Sequence, residues 1–253
     1  MSFYGNTNFL VEVSKGNIPG HSIVHKFGRN DAVSTSWELV SQVSGATSFL
    51  SAATTVRVKS GGDAADDAAG AGAREVTVQG INDSFVRAEE AIATAGTGAS
   101  LATATSFLRV DRAFVSAAGT YATPVNTADI VIENSGGGTD LIHITADEGQ
   151  TQYGAYALAT GVTAYLLSVF ISVDTSKTAD FRFFVRENSN DTTPPVSPKR
   201  LKLFWDGVSG SIDFAPLSPI LFVNGPADIW MEAKGSGAPA EVSVDFELLL
   251  VDD

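Results

Sequence analysis

Alternation of apolar and polar residues in short segments constrains the fold of this chain more than any other feature of its sequence. Within residues 55–59, Val56 and Val58 would face one side of a strand, and Arg57 and Lys59 the other. Successive side chains of a strand point to opposite faces, so this pattern is typical of strands with one buried and one solvated face. The same alternation recurs at residues 74–79, 129–133, 201–205 and 241–248.

Turn-forming residues separate these segments. Glycine, often with Asn or Asp, stands at residues 61–63, 80–83, 134–138, 206–207 and 235–237. Two apolar runs, 165–173 and 181–185, predict strands that are buried on both faces. Together the pattern predicts an all-β fold, an antiparallel β-sandwich or a jelly-roll-like body. The helical signal is thin, and residues 85–92 fit a helix and another strand equally well.

The chain divides into an arm and a body. Residues 1–35 are rich in Asn, Gly, Ser and His, and predict an extended N-terminal arm. Residues 36–253 form the predicted β body. A Pro-containing and Asn-containing stretch at 121–126 predicts a boundary between two lobes, 36–120 and 127–253, and one undivided body is the alternative.

Charge and hydropathy restrict the partners. The formal net charge is -13, from 29 acidic and 16 basic residues. Nucleic-acid affinity rests on Lys and Arg displacing counterions, so we expect no nucleic-acid partner. Residues 1–6 lack the basic and apolar regions of a secretory signal. Residues 164–171, the most apolar stretch, are too few to span a membrane as a helix, and we expect no membrane partner.

The sequence offers little that could hold a metal ion or a cofactor. His21 and His25 would share a face only in a helix, which the preceding Pro19 and Gly20 disfavour. Residues 60–73 carry three Asp residues but lack the order of a calcium loop, and predict a mobile, solvated surface loop. The chain has no cysteine, which excludes thiolate ligands. We therefore expect no metal and no cofactor.

Catalytic motifs are also missing from the sequence. It contains no GxSxG nucleophile motif and no phosphate-binding GxxxxGK[ST] loop. Its adjacent acidic pairs do not predict the facing carboxylates of a glycosidase, and His143 is expected at the surface. Trp37, Trp205 and Trp230 could stack on sugars, although core packing is the commoner role. We expect a protein that is not an enzyme and has no catalytic residues.

Six segments spread along nearly the whole chain resemble virion structural proteins of marine tailed bacteriophages. They are residues 13–22 (VSKGNIPGHS), 25–30 (HKFGRN), 73–80 (AREVTVQG), 148–152 (EGQTQ), 161–167 (GVTAYLL) and 242–248 (VSVDFEL). In that group the fifth segment usually reads PAGKTAYL, whereas Val162-Thr163 replaces the lysine form here. The resemblance implies a non-enzymatic virion component, made in the host cytoplasm and displayed on the outer surface of the particle.

The resemblance leaves the position on the particle open. Our first hypothesis is a capsid decoration (cement) protein or a head-attached appendage that binds the major capsid protein. It would be a homo-oligomer, and trimers would suit the threefold positions of an icosahedral shell. The alternative is a tail, neck or fibre component that binds a host surface glycan. A polysaccharide depolymerase is the third hypothesis, and it requires two carboxylates facing each other across a groove.

The predicted arm supplies the candidate docking residues. Its aromatic and aliphatic side chains could contact a neighbouring subunit, and its basic side chains contrast with the acidic body. The alternative is that the arm packs on its own domain. The predicted subunit-docking residues are Phe9, Lys15, Ile18, His21, His25, Lys26, Phe27 and Arg29.

Overall fold

The computed structural model describes residues 8–43, 49–121, 125–174, 176–215, 222–237 and 239–253. In these ranges the chain forms sixteen strands and one six-residue helix. Every strand pair is antiparallel, so the prediction of an all-β antiparallel fold is confirmed. No helix within these ranges combines the length and apolar character needed to cross a bilayer.

The helix and the strands are numbered in chain order. They are α1 (Phe9–Ser14), β1 (His21–Val33), β2 (Glu38–Leu39), β3 (Val56–Val58), β4 (Ala73–Asn82), β5 (Arg87–Ala93), β6 (Phe107–Ala118), β7 (Ile130–Asn134), β8 (Asp140–Ile144), β9 (Ala155–Leu158), β10 (Val162–Val173), β11 (Ala179–Glu187), β12 (Arg200–Val208), β13 (Ser211–Phe214), β14 (Phe222–Asn224), β15 (Ala227–Gly235) and β16 (Ala240–Asp252).

The strands form four separate sheets. Sheet 1 has the order β1-β16-β10-β13, with β14 also paired to β10. Sheet 2 has the order β12-β11-β15-β2, with β9 also paired to β15. Sheet 3 is β3-β7-β8 and sheet 4 is β5-β4-β6. These strand orders are not clearly those of a jelly roll.

Two hydrophobic cores lie on opposite faces of sheet 2. Phe181 and Phe183 of β11 are fully buried in a core that sheets 1 and 2 share. Phe184 follows Phe183 in the same strand but belongs to the second core, with residues of sheets 3 and 4. The prediction that residues 181–185 are buried on both faces is therefore confirmed. The same prediction for 165–173 is wrong, because Phe170 on the outer face of β10 is 39% exposed.

The strand pairing does not follow the predicted lobe boundary at 121–126. In sheet 3, Arg57 of β3 lies opposite Glu133 of β7, so this sheet takes strands from both sides of the boundary. Sheets 3 and 4 use β3 to β8, whereas β1, β2 and β9 to β16 build sheets 1 and 2. The pairing of the described strands therefore does not divide them into 36–120 and 127–253. Residues 122–124 of the boundary lie outside the described ranges.

The predicted N-terminal arm is in part a strand of the body. Strand β1 pairs with β16 from His21 opposite Val251 to Val33 opposite Ala240, with a register shift after Asn30. The absence of a side chain at Gly28 lets β1 pack closely against the body, because a Cβ atom there would lie only 2.5 Å from the Gly154 nitrogen. The expectation of an arm separate from the body is corrected for these residues, because hydrogen bonding to β16 satisfies a backbone that would otherwise be exposed. Residues 1–7 lie outside the described ranges.

Two further predicted segments are residues 85–92 and the loop at residues 60–73. Residues 87–93 form β5, so the strand alternative for residues 85–92 is confirmed from Arg87 onward. In the predicted solvated loop, Asp66 is only 3% exposed, and its carboxylate accepts N–H groups of Ala73, Thr127 and Ala128. The loop is therefore anchored by a buried carboxylate, which corrects the prediction for Asp66. In the described part of the chain, no three His, Asp or Glu side chains are arranged to hold a metal ion.

Candidate functional site

A cleft of about 920 Å³ runs beside strand β1, where sheet 1 meets sheet 4. Its walls come from β1, β4, β5, β6, β9 and β16, from the first residue of β10, and from the loop before β9. The volume is within the range of ligand-binding clefts, which are typically about 300–1,000 Å³. The cleft holds both polar and apolar side chains, so it can contact a ligand of mixed character.

The register of β1 decides which of its side chains enter the body. Val24 lies opposite Leu248, and Lys26 opposite Phe246, both partners being buried in the first core. Side chains directly opposite each other in a sheet share a face, so Lys26 also points inward. At that point the neighbour is β6 of sheet 4, and the Lys26 ammonium donates a hydrogen bond to the main-chain carbonyl of Asp111.

Asp111 of β6 organises the base of the cleft. Its carboxylate accepts two hydrogen bonds from the guanidinium of Arg87, one of them at 3.1 Å, and a third from the Ala157 N–H at 3.0 Å. Arg87 lies over the ring of Tyr156, with 5.0 Å between the guanidinium carbon and the ring centroid. Strands β5, β6 and β9 are thus held together around one carboxylate that is 2% exposed.

Lys26 is a buried cation with unused hydrogen-bonding capacity. The residue is 6% exposed, and burial lowers the pKa of its ammonium to about 8; the nearby Asp111 opposes this shift, while Arg87 and Arg112 add to it. An ammonium carries three donors. Its hydrogen bond to Asp111 is the only one that it makes with the described residues, so two donors remain for a ligand or water.

Two further groups at the cleft have free hydrogen-bonding capacity. Tyr156 is 6% exposed, burial raises the pKa of its phenol to about 12, and its hydroxyl bonds to none of the described residues. Arg112 is exposed and donates from Nη2 to Gln150 at 3.3 Å, leaving its other donors unused by the described part of the chain. With Lys26 and Arg87, these groups surround the single carboxylate of Asp111, and the base of the cleft favours an anionic ligand group.

The outer edge of β1 also borders the cleft. The Asp252 N–H donates to the Gly20 carbonyl at 2.8 Å, so residue 20 directs its backbone groups toward β16. In an antiparallel pair such residues alternate with residues whose backbone groups point away. Ile23, His25 and Phe27 therefore direct N–H and C=O groups away from β16, and no other described strand pairs with β1. All three residues line the cleft.

The structure brings three of the eight predicted docking residues to this cleft. His25, Lys26 and Phe27 line it, and the His25 Nε2 lies 2.8 Å from a carboxylate oxygen of Asp245. The other five predicted residues lie outside its lining: Phe9, Lys15, Ile18, His21 and Arg29.

These five residues have local partners. Lys15 pairs with Glu12 at 3.0 Å, and the ring of Phe9 packs edge-on against His21 with 5.8 Å between centroids. Ile18 is half-buried and precedes the turn that leads into β1. Arg29 lies within 3.2 Å of three carboxylates, those of Asp31, Glu148 and Glu241. Whether these residues also dock a subunit stays a prediction.

Sequence reasoning missed the residues that form the base of the cleft, namely Arg87, Asp111, Arg112 and Tyr156. One signal was available. Asp111 and Arg112 are adjacent charged residues in a strand that carries one other charged residue, Arg109, and alternation directs one of the two into the interior. The partner of that buried charge is 24 residues away in Arg87, and no local pattern indicates the pairing.

Two of the three tryptophans pack in the cores, and the third lies at a groove. Trp230 is buried in the second core, and Trp205 packs against the first. Trp37 is half-buried at a second groove of about 490 Å³, where the guanidinium carbon of Arg182 lies 3.6 Å from the centroid of its ring. His143, expected at the surface, is half-buried beside Asp129.

The six segments 13–22, 25–30, 73–80, 148–152, 161–167 and 242–248 all reach the cleft beside β1. They are far apart in sequence, yet each supplies at least one residue to its walls. In chain order these include Ser22, His25, Gln79, Gln150, Val162 and Asp245.

The chain matches no protein-family model, no curated protein and no solved structure.

Proposed function

We propose that this chain is a non-enzymatic structural protein of a tailed-bacteriophage virion, and specifically a capsid decoration (cement) protein or a head-attached appendage. One observation carries the proposal. Six separated segments resemble virion proteins, and all six contribute to one cleft that can bind a partner.

The properties of the surface agree with this role. The net charge of -13 favours solubility at high local concentration, and the absence of cysteine leaves no thiol to oxidise outside the cell. Under the proposal the protein is made in the host cytoplasm and displayed on the outer surface of the particle. Its partners are the major capsid protein and further copies of itself, with a trimer as the oligomer that fits threefold positions.

We further propose that sheets 1 and 2 form a β-sandwich. Phe183 of sheet 2 and Phe246 of sheet 1 support it, because their rings meet edge-to-face with centroids 5.7 Å apart in the first core. Two antiparallel sheets that pack face to face leave their outer faces for other contacts. Here the outer face of sheet 2 carries the second core.

The alternative is a tail, neck or fibre protein that binds a host surface glycan, and the groove beside Trp37 favours it. The guanidinium of Arg182 lies over the partly exposed indole, 3.6 Å from the ring centroid, and the Lys234 ammonium lies 5.1 Å from that centroid. Aromatic faces with neighbouring polar groups suit sugar stacking. Under this alternative, Trp37→Ala abolishes binding on a glycan array, while Trp205→Ala keeps it; an array on which the wild-type protein binds no glycan removes the alternative.

Copy number tests the proposal directly. We would measure this chain relative to the major capsid protein in purified particles by quantitative mass spectrometry. A ratio near one to one, or a simple fraction set by shell symmetry, supports decoration of the capsid. A few copies per particle would move the protein to the neck, tail or fibres, and its absence from particles would overturn the virion role.

A further inference from the structure

We propose that the outer edge of β1 receives an extended acidic segment of a neighbouring virion protein, which adds to sheet 1 as a new strand. The inference rests on the proposed function for the source of the partner. It reverses the role predicted for the N-terminal region, because β1 receives a segment instead of reaching out as an arm.

The backbone of β1 provides the first argument. The strand is thirteen residues long and pairs only with β16 among the described strands. The N–H and C=O groups of Ile23, His25 and Phe27 point away from β16, as the register requires, and all three residues line the cleft. An open strand edge is a template for pairing with another chain, and strand addition at such an edge is a common mode of peptide recognition.

Charge provides the second argument and defines the chemistry of the partner. Lys26, Arg87 and Arg112 face the cleft around the carboxylate of Asp111. The other two carboxylates of the lining, Asp245 and Asp252, belong to β16, and Asp245 is paired with His25. Lys26 has two donors that no described residue accepts, in a nearly inaccessible position. A Glu or Asp side chain of the incoming strand can accept these donors, and a charge-assisted hydrogen bond to a buried cation is stronger than one between neutral groups.

The pleat of a strand lets both interactions occur together. Lys26 lies on the inner face of β1, between two residues whose backbone groups point outward. Alternate side chains of an added strand would face the same side as Lys26, so one acidic residue reaches the ammonium while the neighbouring backbone groups pair with β1. Tyr156, whose hydroxyl has no partner among the described residues, lines the same space and can donate to that carboxylate.

The composition of the walls favours a peptide over an acidic sugar. Ile23, Leu158 and Leu250 line the cleft together with the cationic groups. A strand with alternating acidic and apolar side chains uses both sets of residues and the free backbone edge. A sugar carboxylate would use the cations but leave the backbone groups of Ile23 and His25 unpaired.

The experiment uses purified particles that lack this protein and measures rebinding of the full-length chain. Ile23→Pro removes an outward N–H without removing a hydrogen bond to β16, and Ile23→Ala is its control for the lost side chain. Lys26→Met removes the ammonium, and Lys202→Met on β12 is the matched control outside the cleft. We expect Ile23→Pro and Lys26→Met each to weaken binding about tenfold or more, and both controls to bind like the wild type.

Hydrogen exchange on the wild-type protein provides a readout that needs no variant to fold. Bound to particles, the amides of residues 22–27 should exchange more slowly than in the free protein. A wild-type protein that does not rebind overturns the proposed function. Normal rebinding by both Ile23→Pro and Lys26→Met, with unchanged exchange at 22–27, overturns strand addition alone. If polygalacturonate abolishes rebinding while the Ile23→Pro variant still rebinds normally, the cleft is an acidic-glycan site, and strand addition is also overturned.

Discussion

Arg109 and Asp228 form a buried ion pair with two hydrogen bonds that joins sheet 4 to sheet 2. The Arg109 Nε lies 2.8 Å from Oδ1 of Asp228, and Nη2 lies 3.0 Å from Oδ2. The two side chains are 5% and 1% exposed. Arg109 also donates to the carbonyls of Leu50 and Leu108, so most of its donors are used. The pair fixes the position of β6, and with it the position of Asp111 in the cleft.

Removal of one partner of this pair should destabilise the protein strongly. Asp228→Ala leaves the Arg109 guanidinium buried without its counter-charge, which typically costs about 3–5 kcal/mol. The exposed pair between Arg200 and Glu187 provides the control, and Glu187→Ala should cost less than about 1 kcal/mol. Urea unfolding at neutral pH measures both values. Equal effects of the two substitutions would show that the buried pair does not join the sheets.

Asp66 should stabilise the protein although it belongs to a loop. Its carboxylate accepts N–H groups of Ala73, Thr127 and Ala128, and Asp66→Ala leaves these donors without it, so we expect a loss of about 2–4 kcal/mol in the free energy of unfolding. The control is Asp63→Ala, because Asp63 is exposed and its carboxylate accepts only the local N–H of Ala65. Asp63→Ala should change stability by less than about 1 kcal/mol. A similar loss for both would contradict the anchoring role.

Lys26 should make stability increase with pH in the alkaline range. The pKa of its ammonium is about 8 in the folded protein against 10.5 in the unfolded chain. Between these values the unfolded chain binds more protons, so stability rises with pH by up to about 3 kcal/mol. Tyr156 acts in the opposite direction above pH 10, because its raised pKa makes the folded state retain a proton that the unfolded state loses.

A variant isolates the contribution of Lys26. Lys26→Met lacks the titrating ammonium but keeps Tyr156, so the effect of the phenol cancels in the comparison. Urea unfolding at pH 7.5 and pH 10 should show the wild type gaining about 2–3 kcal/mol relative to Lys26→Met. A difference between the two proteins that does not change with pH would contradict the burial of a charged Lys26.

Two deletions of the N-terminal region should separate the contribution of α1 to the stability of the fold from that of β1. A chain that begins at residue 21 keeps β1 and its pairing with β16, and we expect it to fold with a stability near that of the full chain. A chain that begins at residue 36 loses β1, exposes the edge of β16 and uncovers part of the first core. We expect the longer deletion to abolish cooperative thermal unfolding, as followed by circular dichroism. A stable body without residues 1–35 would show that β1 is dispensable for the fold.

The alternating sequence predicted the class of fold but not the packing of the sheets. Side-chain alternation in residues 55–59 and 241–248 indicates strands, and both segments contain strands, β3 and β16. The apolar run 181–185 correctly indicated burial on both faces, because β11 lies between two cores. The run 165–173 did not, because apolar residues on the outer face of β10, such as Phe170, remain partly exposed.

The cleft could be predicted only in part, for physical reasons. The predicted docking set contained Lys26, yet its polar surroundings suggested an exposed arm. Pairing with β16 at a distance of 220 residues turns the side chain inward, and Asp111 lies 85 residues away. Such contacts depend on how four sheets pack together, and short-range periodicity contains no information about them.

Electron cryomicroscopy of the purified particle tests whether this chain is a virion protein on the outer surface of the capsid. We expect density for this fold on the outer surface of the capsid at positions set by the shell symmetry, with a strand of a neighbouring protein beside residues 22–27 of β1 and an acidic side chain at Lys26. A reconstruction that resolves the complete outer surface of the head, neck and tail without density for this fold would contradict the virion role.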